Sequence, residues 1–125
     1  MSGLTKLDDI LGSMRPEVVP GRFVFTTTDA QLPARATVVE DEGTTLVLEE
    51  ETAVAHGLDF DAVFGWITLR VHSSLESVGL TATVSVALAA AGISCNVIAG
   101  RFHDHLLVPV DRVQEAVEVL ERLAG

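Results

Sequence analysis

Hydrophobic and polar positions alternate along residues 66–72: Ile67, Leu69 and Val71 point one way, Thr68, Arg70 and His72 the other. A period of two is that of a strand with one buried face. The period changes at Gly79. Leu80, Val84, Ala87, Leu88 and Ala91 then fall at offsets of four, seven, eight and eleven, the apolar stripe of a helix, and Gly92 stands where a helix stop belongs. Ile93, Cys95 and Val97 resume the alternation, so residues 93–99 read as a strand. Gly100 breaks it, and residues 104–109 form another apolar strand. Asp111 reads as an N-cap, with Gln114 completing a capping box, and Val113, Ala116, Val117, Leu120 and Leu123 form the stripe of a second helix. The C-terminal half therefore predicts β-α-β-β-α. A long crossover favours parallel strands and the short Gly100 turn an antiparallel pair, which together describe a split β-α-β, ferredoxin-like α+β sandwich with helices on one face.

The N-terminal half is less regular. Leu4, Leu7, Ile10, Leu11 and Met14 predict a short amphipathic helix. Arg15-Pro16 and Pro20-Gly21 punctuate the chain, residues 22–28 read as a strand, and residues 29–33 as a loop. Residues 36–40 and 44–49 predict an antiparallel hairpin, because Gly43 can take the positive φ of a tight turn. A short helix over 50–56 is stopped by Gly57, and residues 58–65 connect into the central strand. A ferredoxin-like sheet needs four strands, and the C-terminal half supplies three. The fourth is expected from the N-terminal half, most simply residues 22–28, or from another chain; the first choice makes the halves interleave.

Three stretches carry a resemblance: His-Ser-Ser-Leu-Glu-Ser-Val-Gly-Leu-Thr at 72–81, Ala-Gly-Ile-Ser-Cys-Asn-Val at 91–97, and His-Asp-His-Leu-Leu-Val-Pro at 103–109. They resemble small bacterial ACT-domain proteins with two ACT-like units, similar to the regulatory ACT pairs of aspartokinase and of eukaryotic arginine sensors. The resemblance implies two tandem units that share or interleave strands, a degenerate one over 1–57 and a fuller one over 58–125. The loop between residues 28 and 36 is too short for the helix a full first unit would carry. The implied function is a non-enzymatic regulatory protein that binds an amino-acid effector as a homodimer.

Composition narrows the partners. A formal charge of −10 with eight scattered basic residues argues against nucleic acid and anionic membrane surfaces. No apolar run approaches the roughly 18 residues of a membrane span, and no signal peptide is evident in the first residues. Cys95 is the single cysteine, which precludes an intrachain disulfide. The cytoplasm is the expected location, and no cofactor is expected.

Candidate chemistry centres on the loop from Ser73 to Thr81. Free N–H groups and the positive dipole end of the following helix attract a carboxylate. Gly79 lets a ligand approach the backbone, and Ser73, Ser74 and Thr81 offer hydroxyls. The resemblance assigns effector docking to Gly79, Leu80 and Thr81; the alternative is an ordinary turn with a glycine for packing. Asn96 is a second candidate, for orienting an ammonium or carboxylate group or for completing a strand edge. His103 and His105 share one strand face, with Asp104 opposite, as two metal ligands would; His72 or Cys95 would have to be the third. Cys95 with either histidine could also be drawn as nucleophile and base. No Cys-x-x-Cys, His-Glu-x-x-His or Walker motif accompanies them, so neither a metal nor catalysis is expected. An interaction module without a ligand is a further alternative, and the small residues Ala82, Val86, Ala89 and Ala90 would let another element approach the first long helix.

Overall fold

The computed structural model of the chain describes residues 7–71 and 79–125. In chain order the elements are α1 (Leu7–Ser13), β1 (Arg15–Thr27), β2 (Ala36–Glu40), β3 (Gly43–Glu49), α2 (Glu50–Ala55), β4 (Phe64–Arg70), α3 (Leu80–Ala90), β5 (Asn96–Ala99), β6 (Asp104–Pro109) and α4 (Val113–Ala124). The strands form one six-stranded antiparallel sheet in the order β2-β3-β1-β4-β6-β5. β4 and β5 run in the same direction with β6 between them, the split β-α-β arrangement that the change of period predicts.

The strand that joins the two halves is β1. It begins at Arg15, seven residues before the expected Arg22, and runs through both Pro-containing dipeptides that read as breaks. Its first part, Arg15–Val19, pairs with β4, and its second part, Phe23–Thr27, pairs with β3. Among the described residues no strand pairs with Arg15–Val19 on the side away from β4, and a residue without an N–H is tolerated at such an edge. Between Val19 and Phe23 the register slips, and Gly21 takes φ +124° there, a bulge that bends the strand from one partner to the next. The fourth strand of the C-terminal sheet is thus residues 15–19 rather than 22–28, and the halves interleave.

Two other boundaries differ from the sequence reading. β5 starts at Asn96 instead of Ile93, because Ile93 first closes α3. Its N–H bonds the Leu88 carbonyl at 2.9 Å, and Gly92, at φ +74°, bonds Ala89 at 2.9 Å. That pair of bonds is a Schellman stop. Asp111 caps nothing: Val110 donates to the Val63 carbonyl at 3.1 Å, and a 3₁₀ turn over Val110–Arg112 precedes α4. Arg112 takes the tying role instead, reaching the Ala91 and Gly92 carbonyls at the end of α3 and pairing with Glu115.

Both faces of the sheet are apolar where they are covered. On the helix side, Ile67, Leu69, Leu106 and Val108 meet Ile10 of α1 and Met14 just after it, Leu80, Val84 and Leu88 of α3, and Ala116, Val119 and Leu120 of α4. Val24, Leu46 and Leu48 pack against Ala53 of α2. The other face carries no helix among the described residues; Phe23, Val47, Trp66 and Leu107 form its core, flanked by Val19, Phe25, Ala36, Phe64 and Ile98. No helix among the described residues is long and apolar enough to cross a membrane.

Candidate functional site

α3 enters from a left-handed residue. Gly79, its N-cap, has φ +104° and no side chain with which to cap, so the first-turn N–H groups depend on other partners. Leu80 points into the core and offers only its N–H, whereas Thr81 is exposed. Thr83 donates to the Gly79 carbonyl at 2.9 Å, which fixes the turn. Leu7 of α1 lies against Gly79, its Cδ2 3.2 Å from where a Cβ would be. Ser73, Ser74 and His72 lie outside the described residues.

Asn96 is elsewhere. It is exposed, pairs with Leu107, and lines a cavity of about 210 Å³ with Phe25, Asp61, Ala62 and Phe64. α3 has 11 residues, so it carries the chain about 16 Å from Thr81 back along the sheet. β5 then begins beside Leu107, whose other neighbour, Trp66, is near the start of β4, while α3 follows the end of β4. Gly79–Thr81 and Asn96 therefore occupy opposite ends of the sheet, and within one chain they cannot hold the same small molecule.

The histidines share a face, as their spacing predicts. Asp104 points to the other side, and burial, the largest cause, raises its pKa. His105 pairs with Thr68 across the strands, and its Nδ1 lies 3.0 Å from Thr68 Oγ1; the Trp66 indole N–H donates to both, at 3.3 Å and 3.1 Å. His103 Nε2 lies 3.4 Å from the Arg70 guanidinium, and Arg70 is paired with Glu17 at 3.0 Å. A fixed cation beside an imidazole opposes a metal ion, and no group of metal-binding side chains is found among the described residues. Cys95 packs against the helix-side core, across the sheet from His105, and burial raises its thiol pKa. The Cys-His dyad is thereby removed: the sheet separates its members.

His105 links this face to pH. Burial, followed by the charges of His103 and Arg35, holds it below the ordinary imidazole value of 6.5. A depressed histidine leaves the unfolded chain binding more protons. The stability it contributes is therefore full above 6.5 and declines as pH falls through the folded-state value. Urea midpoints measured between pH 7.5 and 5 are expected to fall on acidification, and His105→Gln is expected to flatten that slope.

Sequence reasoning passed over Trp66, Thr68 and Arg35 on this face. The Arg35 guanidinium lies 4.7 Å from the Trp66 ring centroid and 6.0 Å from that of Phe23. The alternation placed Thr68 on the side away from Ile67, but Arg35 sits in a loop with no pattern to mark it.

Residues 2–65 match one family model described as ACT domain, and residues 61–122 match a second with the same description. A Vibrio cholerae protein of unknown function, described as a possible transport protein, is 46% identical. That likeness covers 95% of this chain and 96% of that one, with a TM-score of 0.86. The ligand-free regulatory subunit of aspartate kinase from Thermus thermophilus shares the fold at 7% identity. The TM-score is 0.59, over 88% of this chain and 97% of that one. Aspartate kinase from Clostridium acetobutylicum shares it at 9% identity and a TM-score of 0.65, over 90% of this chain and 34% of that one. No curated protein matches the sequence.

Proposed function

The chain belongs to the ACT-domain family, as two tandem units in one sheet, and on that premise we propose that it is a non-catalytic regulatory module that binds an amino acid as a homodimer in the cytoplasm. The observation that carries this reading is the entry to α3. Gly79 in the left-handed region starts the helix without a side-chain cap, with Leu80 buried in the core and Thr81 exposed beside it. A carboxylate is the natural partner of such a turn. Ser73 and Ser74 belong to the same proposed site as hydroxyl-bearing residues of the sequence that leads into Gly79. The ligand's ammonium would meet a carbonyl or carboxylate of the facing unit; Asn96 could take part only from a second chain. The units divide near residue 57, and the free thiol of Cys95 suits a reducing compartment. The signal is a shift between arrangements of the dimer, bounded by the ligand's differential affinity for them.

The second reading, an interaction module with no ligand, draws on the β2 edge. There Val38 and Val39 are exposed, Val39 to 83%, on a strand that among the described residues has a neighbour on one side only. Such an edge invites pairing with another chain.

Calorimetric titration with the twenty amino acids separates the two. One amino acid, or a small related set, is expected to bind saturably. Thr81→Glu places a carboxylate where the ligand's would sit and is expected to weaken binding at least tenfold, about 1.4 kcal/mol. It should leave the melting temperature unchanged or slightly raised, since an acidic side chain suits a helix N-terminus. A folded dimer that binds none of the twenty would leave the interaction module as the better account.

A further inference from the structure

The helix-free face of the sheet carries both arginine and glutamate side chains around Trp66. Register places Glu17, Thr68, His105 and Ile98 in one cross-strand row, and Val19, Trp66, Leu107 and Asn96 in the next. Arg70 and His103 flank the first row, and Arg35 lies over Trp66. Arg15, Arg35, Arg70, His103 and His105 thus share this face with Glu17 and Glu49, in a chain whose net charge is −10.

Their partners differ. Arg70 is committed to Glu17. Among the described residues the Arg35 guanidinium makes no ion pair or hydrogen bond; it lies over the Trp66 and Phe23 rings and its charge is felt by His105. A guanidinium stacked on an indole is held in place while its N–H edge stays free, and that planar fork matches a carboxylate bidentately. The platform beneath it is rigid. Trp66 is 3% exposed, meets Phe23 edge-on at 5.5 Å, and has its indole N–H anchored by Thr68 and His105. A ring pinned at its N–H and covered by an unpaired guanidinium is a prepared surface, and the core alone does not require the arginine.

We propose that this face is a binding site for the carboxylate of a small organic acid, with Arg35 as the principal ligand-binding residue, His105 beside it and Trp66 as its platform. The site lies across the sheet from α3 and uses none of the residues of the amino-acid site proposed above, so each can fail without the other.

Trp66 is the single tryptophan, and its emission reports directly on the guanidinium above it. Titration with sodium succinate is expected to change that emission saturably, and sodium chloride at matched ionic strength is not. Arg35→Gln is expected to weaken the succinate response at least tenfold, with Arg35→Lys intermediate because it keeps the charge without the fork. Thr81→Glu, which alters the α3 entry, should leave it intact. Far-UV circular dichroism on each variant checks that the sheet has formed. An emission that ignores succinate, that follows chloride equally, or that responds in folded Arg35→Gln as in the parent chain overturns the proposal.

Discussion

Gly65→Ala is expected to destabilise the protein by about 3 kcal/mol, at the upper end of the overpacking range. Gly65 lies in β4 opposite Val108, facing the start of α4. A Cβ there would stand 2.2 Å from Val113 Cγ2, well inside any van der Waals contact. Val113 has little freedom to move aside. A β-branched side chain in a helix has one strongly preferred rotamer, and this one packs against the helix-side core. Either α4 lifts from the sheet or β4 bows away, and both open the layer that Leu120, Ala116 and Ile67 fill. For a chain of this length the loss corresponds to a melting temperature lower by roughly 10 °C. The cause is testable apart from the size. Val113→Ala removes the obstructing methyl, so in the double variant part of the Gly65→Ala cost should disappear, with a coupling of about 1 kcal/mol or more. Additive effects, or a single variant within about 0.5 kcal/mol of the parent chain, would show that the glycine is there for another reason.

Nothing in the sequence announced that contact. Residues 58–65 read as a connection into a strand, and a glycine at a strand's start looks like a turn residue until the helix above it is known. The elements with a clean period were legible: the α3 stripe and the Schellman glycine at its end stand as read, while the strand read over 66–72 with one buried face spans Phe64–Arg70 and is buried on both. β1 was not, because Pro16, Pro20 and Gly21 are local signals, and their tolerance depends on which neighbour a strand lacks. That is a property of the sheet. Asn96 teaches a different lesson. The split β-α-β order already places the start of β5 and the start of α3 at opposite ends, so its separation from Gly79 could have been derived by counting helix turns. Arg35, by contrast, lies in an unpatterned loop, and only the fold brings it over Trp66.

The functional reading depends on the two units forming one sheet. β1 completes the C-terminal set of strands through Arg15–Val19 and the N-terminal set through Phe23–Thr27. Without β1, residues 58–125 would leave β4 as an unpaired edge and uncover the Trp66 side of the sheet, where Phe23 and Val19 now lie. They would also lose Ile10 and Met14, both 0% exposed, from the helix-side core. Burying two such side chains is worth about 3–6 kcal/mol, a large part of the 5–15 kcal/mol typical of a whole domain. Urea denaturation of the isolated 58–125 fragment, followed by Trp66 emission and far-UV circular dichroism, tests this most directly. The interleaved sheet predicts no cooperative transition in the fragment and a single coincident one in the full chain. A monomeric fragment that unfolds cooperatively, with the two signals superimposed, would mean the units fold separately and would contradict the account.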